Sequence, residues 1–302
     1  MELFRPRPIS NGMNLFDGKA LAAGVIEETK KLIGEKKLSF GVFRVGEDSV
    51  STKFIAEKER VGKELGVDVR AYLLDAQATS KQLRRRIAEL VKQTGHDGFI
   101  LQLPLPEGIN TQYVLNAIPE THDADCLNQK SIGAFVVGRS KIIPPVVAAI
   151  KTLLENAGVE LSGKKIVLVG AGRLVGRPTA LWLIAQDLPF TVLTYQSLDL
   201  AVIREADIII SGVGQPRLIR GDMIKDGAIL IDAGTSSEMA PPTSHSILGV
   251  SDPMGSGRPA TLVGDIDVAS CQDKSGWLAP VPGGVGPLTV AHLFKNLATL
   301  AR

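Results

Sequence analysis

Apolar positions along the chain alternate between helical spacing and short continuous runs. Leu21, Val25, Ile26, Leu32 and Ile33 recur at helical spacing up to Gly34, which predicts a first helix opened by Asn14-Leu-Phe-Asp-Gly-Lys. Leu38 to Val45 is a compact apolar run and predicts a buried strand. Ser49 to Leu65 returns to the helical period and ends at Gly66, a residue type suited to a left-handed C-cap. Val67 to Leu74 predicts a second strand and Ser80 to Thr94 a helix capped by Ser80. Asp97-Gly-Phe-Ile-Leu-Gln-Leu-Pro-Leu-Pro predicts a third strand, stopped by its prolines. Pro119 to Pro145 has little periodicity and is expected to be a long connection, followed by a linking helix over Val146 to Asn156. Further strands are expected at Ile166 to Val169, Phe190 to Tyr195, from Asp207 and from Ala228, with a helix over Leu198 to Glu205. Thr235 to Thr261 reads as a loose insertion, and an amphipathic helix runs from Leu288 onward. Strands alternating with helices in this way predict an α/β fold with parallel sheets and right-handed crossovers.

At 302 residues and 44% hydrophobic content the chain can bury two cores. Lys plus Arg (34) nearly balances Asp plus Glu (32), giving a net charge of +2. With no basic run or interleaved aromatics, no nucleic-acid partner is expected. Cys126 and Cys271 fit neither a metal-ligand spacing nor a disulfide framework, so no metal is expected and a reducing cytoplasm is the natural setting. The start, MELFRPRPISNGMN, lacks a signal-type apolar core, and no apolar run reaches the roughly 18 residues of a membrane span.

Candidate chemistry concentrates first at Lys164 to Pro178, KKIVLVGAGRLVGRP. An apolar strand runs into Gly170-Ala171-Gly172, and a helix is expected to start near Leu174, as in a dinucleotide-binding turn. Glycines at 170 and 172 would let the chain turn and a pyrophosphate approach, while Gly176 would allow helix to pack on strand. The third glycine stands one residue late for G-x-G-x-x-G, and a glycine turn that only joins strand to helix reads the same way. The next strand ends in Tyr195-Gln196-Ser197, with no acid before Asp199 to take ribose hydroxyls. Arg173 and Arg177 flank the turn and could neutralise a ribose phosphate, which leans towards NADP, unless both are solvated surface charges.

In the first half, Ser51, Phe54 and Lys58 share one helix face, so Lys58 either snorkels over the core or points into a cleft. Gln102 sits at an apolar strand end, where a buried amide requires partners; it is either catalytic or a loop-pinning group. His122-Asp-Ala-Asp125-Cys lies in the long connection. Near the end, Pro280-Val-Pro-Gly-Gly-Val-Gly-Pro is a stiff wall, poor in side chains, against which a flat ring could lie.

That string, with Gln102-Leu-Pro-Leu-Pro, resembles the bifunctional methylenetetrahydrofolate dehydrogenase and methenyltetrahydrofolate cyclohydrolase family. The resemblance covers essentially the whole chain in order: Val45-Gly-Glu-Asp-Ser, Lys58, Asp97-Gly, Asp125, Val175-Gly with Pro178, Ser197, Ala206-Asp-Ile, Val213-Gly, Lys225 with Gly227, Ile231-Asp-Ala-Gly, Gly264-Asp-Ile-Asp and the proline string. It implies two α/β domains, an N-terminal substrate domain and a Rossmann-like dinucleotide-binding domain with a cleft between. The expected bounds are 1–146, completed by a C-terminal helix over 288–302, and 147–287. It further implies Lys58 as catalytic lysine, Gln102 as its contact and Asp125 as the acid that holds the pterin. Phe54, Pro280, Val281, Pro282, Gly283 and Gly284 would line the folate. Gly170, Ala171, Gly172, Arg173, Val175, Gly176, Ser197, Val213 and Gly214 would hold the dinucleotide, NADP or NAD. A homodimer acting on 5,10-methylenetetrahydrofolate in one-carbon metabolism is the implied assembly and activity.

Several positions depart from the family's pattern. Phe54 stands for a usual tyrosine, Gly170-Ala-Gly for Gly-Arg-Ser, Cys126 for the glycine after the acid, and Pro144-Pro-Val-Val for Pro-Cys-Thr-Pro. Ala149 replaces a glycine and Ala279 a threonine. These changes leave open a monofunctional, NAD-using dehydrogenase, and a folate- or nucleotide-binding protein with little catalysis.

Overall fold

The computed structural model describes residues 13–46, 49–239 and 260–302, with side chains described for all of these except 49–51, 237–239 and 260. The chain folds as two compact units, each built from separated stretches. A six-stranded unit takes the residues up to Asp17 and Leu153–Gly286, and a three-stranded unit takes Gly18–Thr152 and Pro287–Arg302. The expected bounds at 146 and 1 differ from these for two reasons. Strand β1 (Asn14–Leu15) belongs to the six-stranded sheet, and the other division falls inside the linking helix. Asn14 and Leu15 were expected to open a helix. Instead Asn14 N–H donates to Gly276 at 3.1 Å and Phe16 N–H to Leu278 at 2.9 Å, while the Phe16 ring stacks on Trp277. Two residues are too short to carry an alternating pattern.

In the three-stranded unit α1 (Gly18–Ile33) leads to β2 (Ser39–Val45), α2 (Ser49–Leu65), β3 (Asp68–Leu74), α3 (Ser80–Thr94) and β4 (Gly98–Leu101). The strands are parallel in the order β3-β2-β4, so the chain moves to one side of β2 and then returns to the other. Such a reversal opens a crevice at the strands' carboxyl ends, where ligands of open α/β sheets bind. Thr79, not Ser80, caps α3, because its side chain accepts from Gln82 N–H while the Gln82 side chain accepts from Thr79 N–H. Ser80 Oγ accepts from Asn110 N–H at 2.9 Å instead. The stretch expected to be one long connection contains a helix, α5 (Gln129–Val136), after the short α4 (Thr111–Leu115). Asn128 caps α5, and Asn110 caps α4.

After α6 (Pro145–Asn156) comes the six-stranded unit: β5 (Ile166–Val169), α7 (Gly176–Ala185), β6 (Phe190–Leu193), α8 (Leu200–Glu205), β7 (Ile208–Ser211) and β8 (Ile229–Asp232). Then follow β9 (Ser236–Met239), β10 (Ala260–Val263), the short α9 (Val268–Cys271), β11 (Trp277–Ala279) and α10 (Val285–Leu300). The sheet order is β1-β11-β8-β7-β5-β6, all parallel. β5 and β7 are buried at every residue, as expected of strands covered on both faces. The sheet switches direction between β5 and β7. Of the expected insertion, Ser236–Met239 and Ala260–Val263 pair as an antiparallel ribbon; its remaining residues, 240–259, lie outside the described set.

Helix α10 returns to the three-stranded unit. Phe294, Leu288, Ala291 and Leu297 are fully buried, with the Phe294 ring 5.5 Å from Phe40. Burial of each leucine or phenylalanine side chain contributes roughly 1.5–3 kcal/mol. Asn296 Nδ2 donates to the carbonyls of Ala124 and Ile143 at 2.9 and 2.8 Å, which ties the segments before and after α5 to the last helix.

Candidate active site

Lys58 lies on α2, which follows β2, and Gln102 lies just past β4, the strand paired with β2. Gln102 N–H donates to Phe43 at 2.8 Å and its side-chain amide to Leu103 at 2.9 Å, which aims Oε1 at Lys58. Lys58 Nζ donates to that oxygen at 3.0 Å and to the Phe54 carbonyl at 3.4 Å. The ammonium also stands 5.9 Å from the Phe54 ring centre, within cation–π reach. Lys58 is only 8% exposed, and burial lowers its pKa to about 8, against the opposing pull of Asp125. The ammonium is thus held inside the protein by Gln102 and the Phe54 carbonyl and does not snorkel to solvent. The side chain of Ser51, which shares this helix face in the sequence, lies outside the described set.

Asp125 reaches the same site through a loop laid along β4. Phe99 N–H donates to His122 at 2.7 Å and Ala124 N–H to Phe99, an added parallel bridge at the sheet edge. Asp123 is buried and accepts from Asn128 N–H at 2.7 Å, which fixes the loop from inside. Asp125 keeps some solvent exposure, yet the protein packed around it and the charge of Asp123 raise its pKa to about 7, with Lys58 acting against them. Cys126 follows with φ of 57° and is fully buried, so the position expected of glycine keeps the left-handed backbone with a cysteine in it. Burial pushes its thiol far above the reactive range.

In the six-stranded unit the glycine turn sits at the switch between β5 and β7. Gly170 has φ of 106°, and an added Cβ would lie 2.9 Å from the Gly212 carbonyl. At Gly176 the same atom would lie 2.0 Å from the Gly170 carbonyl, so the late third glycine is what lets α7 pack onto β5. Gly172 is different, since its nearest neighbour would be 3.7 Å away. Helix α7 begins at Gly176, and Val175 before it provides no side-chain cap, leaving the helix amides without that partner.

A cavity of about 360 Å³ opens here, lined by Gly170, Ala171, Gly172, Thr194, Tyr195, Gln196, Gly212, Val213 and Gln215. Thr194, Tyr195, Gln196, Gly212 and Gln215 were not singled out as cofactor residues from the sequence. Their signal was position alone, at the carboxyl ends of β6 and β7. Ser197 lies just beyond the lining, with its hydroxyl 2.8 Å from Thr194 Oγ1. Arg177 Nε donates to the Ala171 carbonyl at 3.0 Å, so it braces the turn; Arg173 and Gly214 adjoin lining residues. Arg177 N–H already donates to the Gly172 carbonyl at 3.0 Å and Pro178 has no N–H, so what fits a dinucleotide pyrophosphate here is the open cavity at the switch point, with glycines that a Cβ would displace.

The proline string follows β11, at the carboxyl edge of the same sheet. Val281-Pro282 is cis, Gly283 has φ of 111°, and Gly284 N–H donates to Pro280 at 2.8 Å. A Cβ on Gly284 would lie 2.8 Å from the Pro280 carbonyl, so Pro280, Val281, Pro282 and Gly283 form a tight turn that leads directly into α10. Among the described residues no cluster of His, Cys, Asp and Glu could hold a metal ion, and no helix is long and apolar enough to cross a membrane.

A doubly wound sheet with a glycine turn at its switch point, joined in one chain to an α/β unit holding a buried lysine, defines a dinucleotide-binding enzyme of two units. The family model described as tetrahydrofolate dehydrogenase/cyclohydrolase, catalytic domain, matches residues 16–125, and the NAD(P)-binding domain of the same description matches residues 144–302. The chain belongs to the tetrahydrofolate dehydrogenase/cyclohydrolase family. It is similar to the bifunctional protein FolD of Moorella thermoacetica, with 36% identity over 95% of this chain and 98% of that one. It is likewise similar to the crystal structure of the bifunctional FolD enzyme of Campylobacter jejuni, with 31% identity, a TM-score of 0.81, and 96% and 98% of the two chains covered. A third similar structure is that of the Trypanosoma brucei FolD complexed with NADP cofactor and inhibitor, with 29% identity, a TM-score of 0.83, and 95% and 96% covered.

Proposed function

We propose that this protein oxidises 5,10-methylenetetrahydrofolate to the methenyl compound with NADP and hydrolyses that product to 10-formyltetrahydrofolate. The observation that carries the reading is the buried pair, Lys58 Nζ on Gln102 Oε1 at 3.0 Å, with Asp125 brought to the same site. A bound dinucleotide supplies the hydride acceptor. The glycine turn from Gly170 to Gly176 would receive its pyrophosphate, with Ala171, Gly172 and Val213 as walls. Lys58, whose ammonium burial shifts towards the neutral amine, takes a proton from the water that attacks the methenyl carbon; the bond from that carbon to N5 then breaks, and N5 takes the remaining hydroxyl proton as the formyl group forms on N10. Gln102 orients Lys58 for this step. Asp125 accepts N–H bonds from the pterin, and those donors favour its ionised form. We assign to the Pro280 to Gly284 turn a surface poor in side chains, suited to a flat ring.

One observation favours a second reading of the cofactor. Among the described residues lining the cavity every side chain is uncharged, with Thr194, Tyr195 and Gln196 where an acid or an arginine would select the ribose, so NAD is also a substrate. The reading brings with it a homodimer in a reducing cytoplasm, to which the two free, buried cysteines are suited.

The test is a paired assay on purified protein: methylenetetrahydrofolate oxidation with NADP and then NAD, and separately hydrolysis of supplied methenyltetrahydrofolate, each beside Lys58→Ala. Both activities are expected, with hydrolysis falling about 100-fold or more in the mutant. Absence of both activities with folate still bound would replace this reading by that of a binding protein.

A further inference from the structure

The lining of the dinucleotide cavity is held from behind by a carboxylate that never reaches it. Asp265 is fully buried, and its two oxygens accept three bonds. Oδ2 takes Ser211 Oγ and Val213 N–H, both at 2.7 Å, and Oδ1 takes Gln215 N–H at 2.8 Å. Val213 and Gln215 line the cavity, and Ser211 is the last residue of β7. Asp265 is in turn fixed by Asp232, which stands opposite Ser211 in the sheet register. Asp232 accepts from Gly234 N–H and Asp265 N–H at 3.0 Å and from Ile266 N–H at 2.8 Å. A Cβ on Gly234 would lie 2.1 Å from the Asp265 carboxylate, and one on Gly264 would lie 2.0 Å from that of Asp232, so each acid is seated on a glycine.

We infer that Asp265 is a positioning residue for the dinucleotide: it sets the shape of the Gly212 to Gln215 wall, and hence cofactor affinity, without touching the cofactor. This rests on the dinucleotide reading of the cavity. The reason is one of donor and acceptor count. Three donors converge on one side chain, and only a carboxylate accepts on both oxygens. An asparagine of the same shape accepts on one oxygen and turns N–H groups towards the remaining donors. At least one buried N–H then loses its partner, and the wall shifts to find another. The wall carries Val213, whose Cγ2 would meet a Cβ on Gly170 at 3.2 Å, so its shift reaches the pyrophosphate turn.

The decisive experiment measures NADP binding by calorimetry, dehydrogenase KM and kcat, methenyltetrahydrofolate hydrolysis and thermal melting for the wild type, Asp265→Asn and Ser211→Ala. In Asp265→Asn the Kd and KM for NADP are expected to rise about 10- to 100-fold, the effect of one unmet buried bond, with kcat and hydrolysis little changed. Ser211→Ala, which removes one of the three donors, is expected to raise Kd only a few-fold. A folded Asp265→Asn with wild-type NADP affinity overturns the inference, as does an equal loss of both activities, which marks a general staple of the fold. If Asp265→Asn does not fold, an unchanged Kd in Ser211→Ala overturns it instead. A wild type that binds NADP without oxidising folate defeats the proposed function while calorimetry still decides this point. A wild type that binds neither dinucleotide defeats both.

Discussion

At the scale of single residues, the chemistry turns on how burial and Gln102 share control of Lys58. Because its pKa falls to about 8, hydrolysis is expected to rise with pH and level off above about pH 8, a step missing from Lys58→Ala. Stopped-flow loss of methenyl absorbance, corrected for spontaneous hydrolysis, reads this directly. The same shift has a stability consequence of definite sign. Lys58 titrates near 8 in the folded protein against 10.5 in the reference state, so the unfolded chain binds more protons between these values and stability rises with pH across that window. Below about pH 8 the buried ammonium is a cost. Lys58→Met is therefore expected to melt higher than the wild type at pH 7, with the gap closing above pH 10.5. Phe54 offers the ammonium a ring face where the family usually offers a hydroxyl. Phe54→Tyr is expected to raise hydrolysis, by up to about 10-fold if the added hydroxyl aligns the lysine; no rise would mean that Gln102 and the Phe54 carbonyl already hold it.

At the scale of elements, the glycine turn divides its three glycines by role. Gly176→Ala drives a methyl into the Gly170 carbonyl and is expected to cost roughly 1–3 kcal/mol and abolish dinucleotide binding, whereas Gly172→Ala meets nothing closer than 3.7 Å and should fold normally. Chemical denaturation and NADP titration of the two variants separate these outcomes. A spacing that misses the usual motif by one residue thus still encodes the contact that the motif exists to make. What the sequence made legible at this scale was the set of elements with strong periods: α1 to α3, β2 to β8 and α10 stand within a few residues of their expected places. What it hid were elements set by partners far along the chain. β1 is a strand because β11 is beside it, and α5 carries little periodicity of its own in the long connection. The N-cap of α3 moved by one residue because the reciprocal Thr79–Gln82 pair captures the first turn. Similarly, Gln102 and Lys58 were legible as odd polar residues on apolar elements, whereas Tyr195, Gln196 and Asp265 were visible only once strand ends had been brought together.

At the scale of the whole molecule, the three-stranded unit is not a continuous segment. Its core is completed by α10, with Phe294 on Phe40 and Asn296 on the carbonyls of Ala124 and Ile143. A polypeptide of residues 18–152 alone is therefore expected to lack a cooperative melting transition, and to regain one when residues 285–302 are supplied on a flexible linker. Circular dichroism of the two polypeptides is the check. Asn296→Ala should be milder, leaving two buried carbonyls short of a donor for about 1–3 kcal/mol.

This return of the last helix also sets an order in time. A ribosome releases Lys58, Gln102 and Asp125 long before it makes Phe294, so these three residues are present while the helix that completes their unit's core is still unsynthesised. The six-stranded unit, whose strands are complete by Ala279, can close first. Newborn chains would thus pass through a stage in which a dinucleotide could already be gripped but no folate could be hydrolysed, and a chain cut short within α10 would remain at that stage.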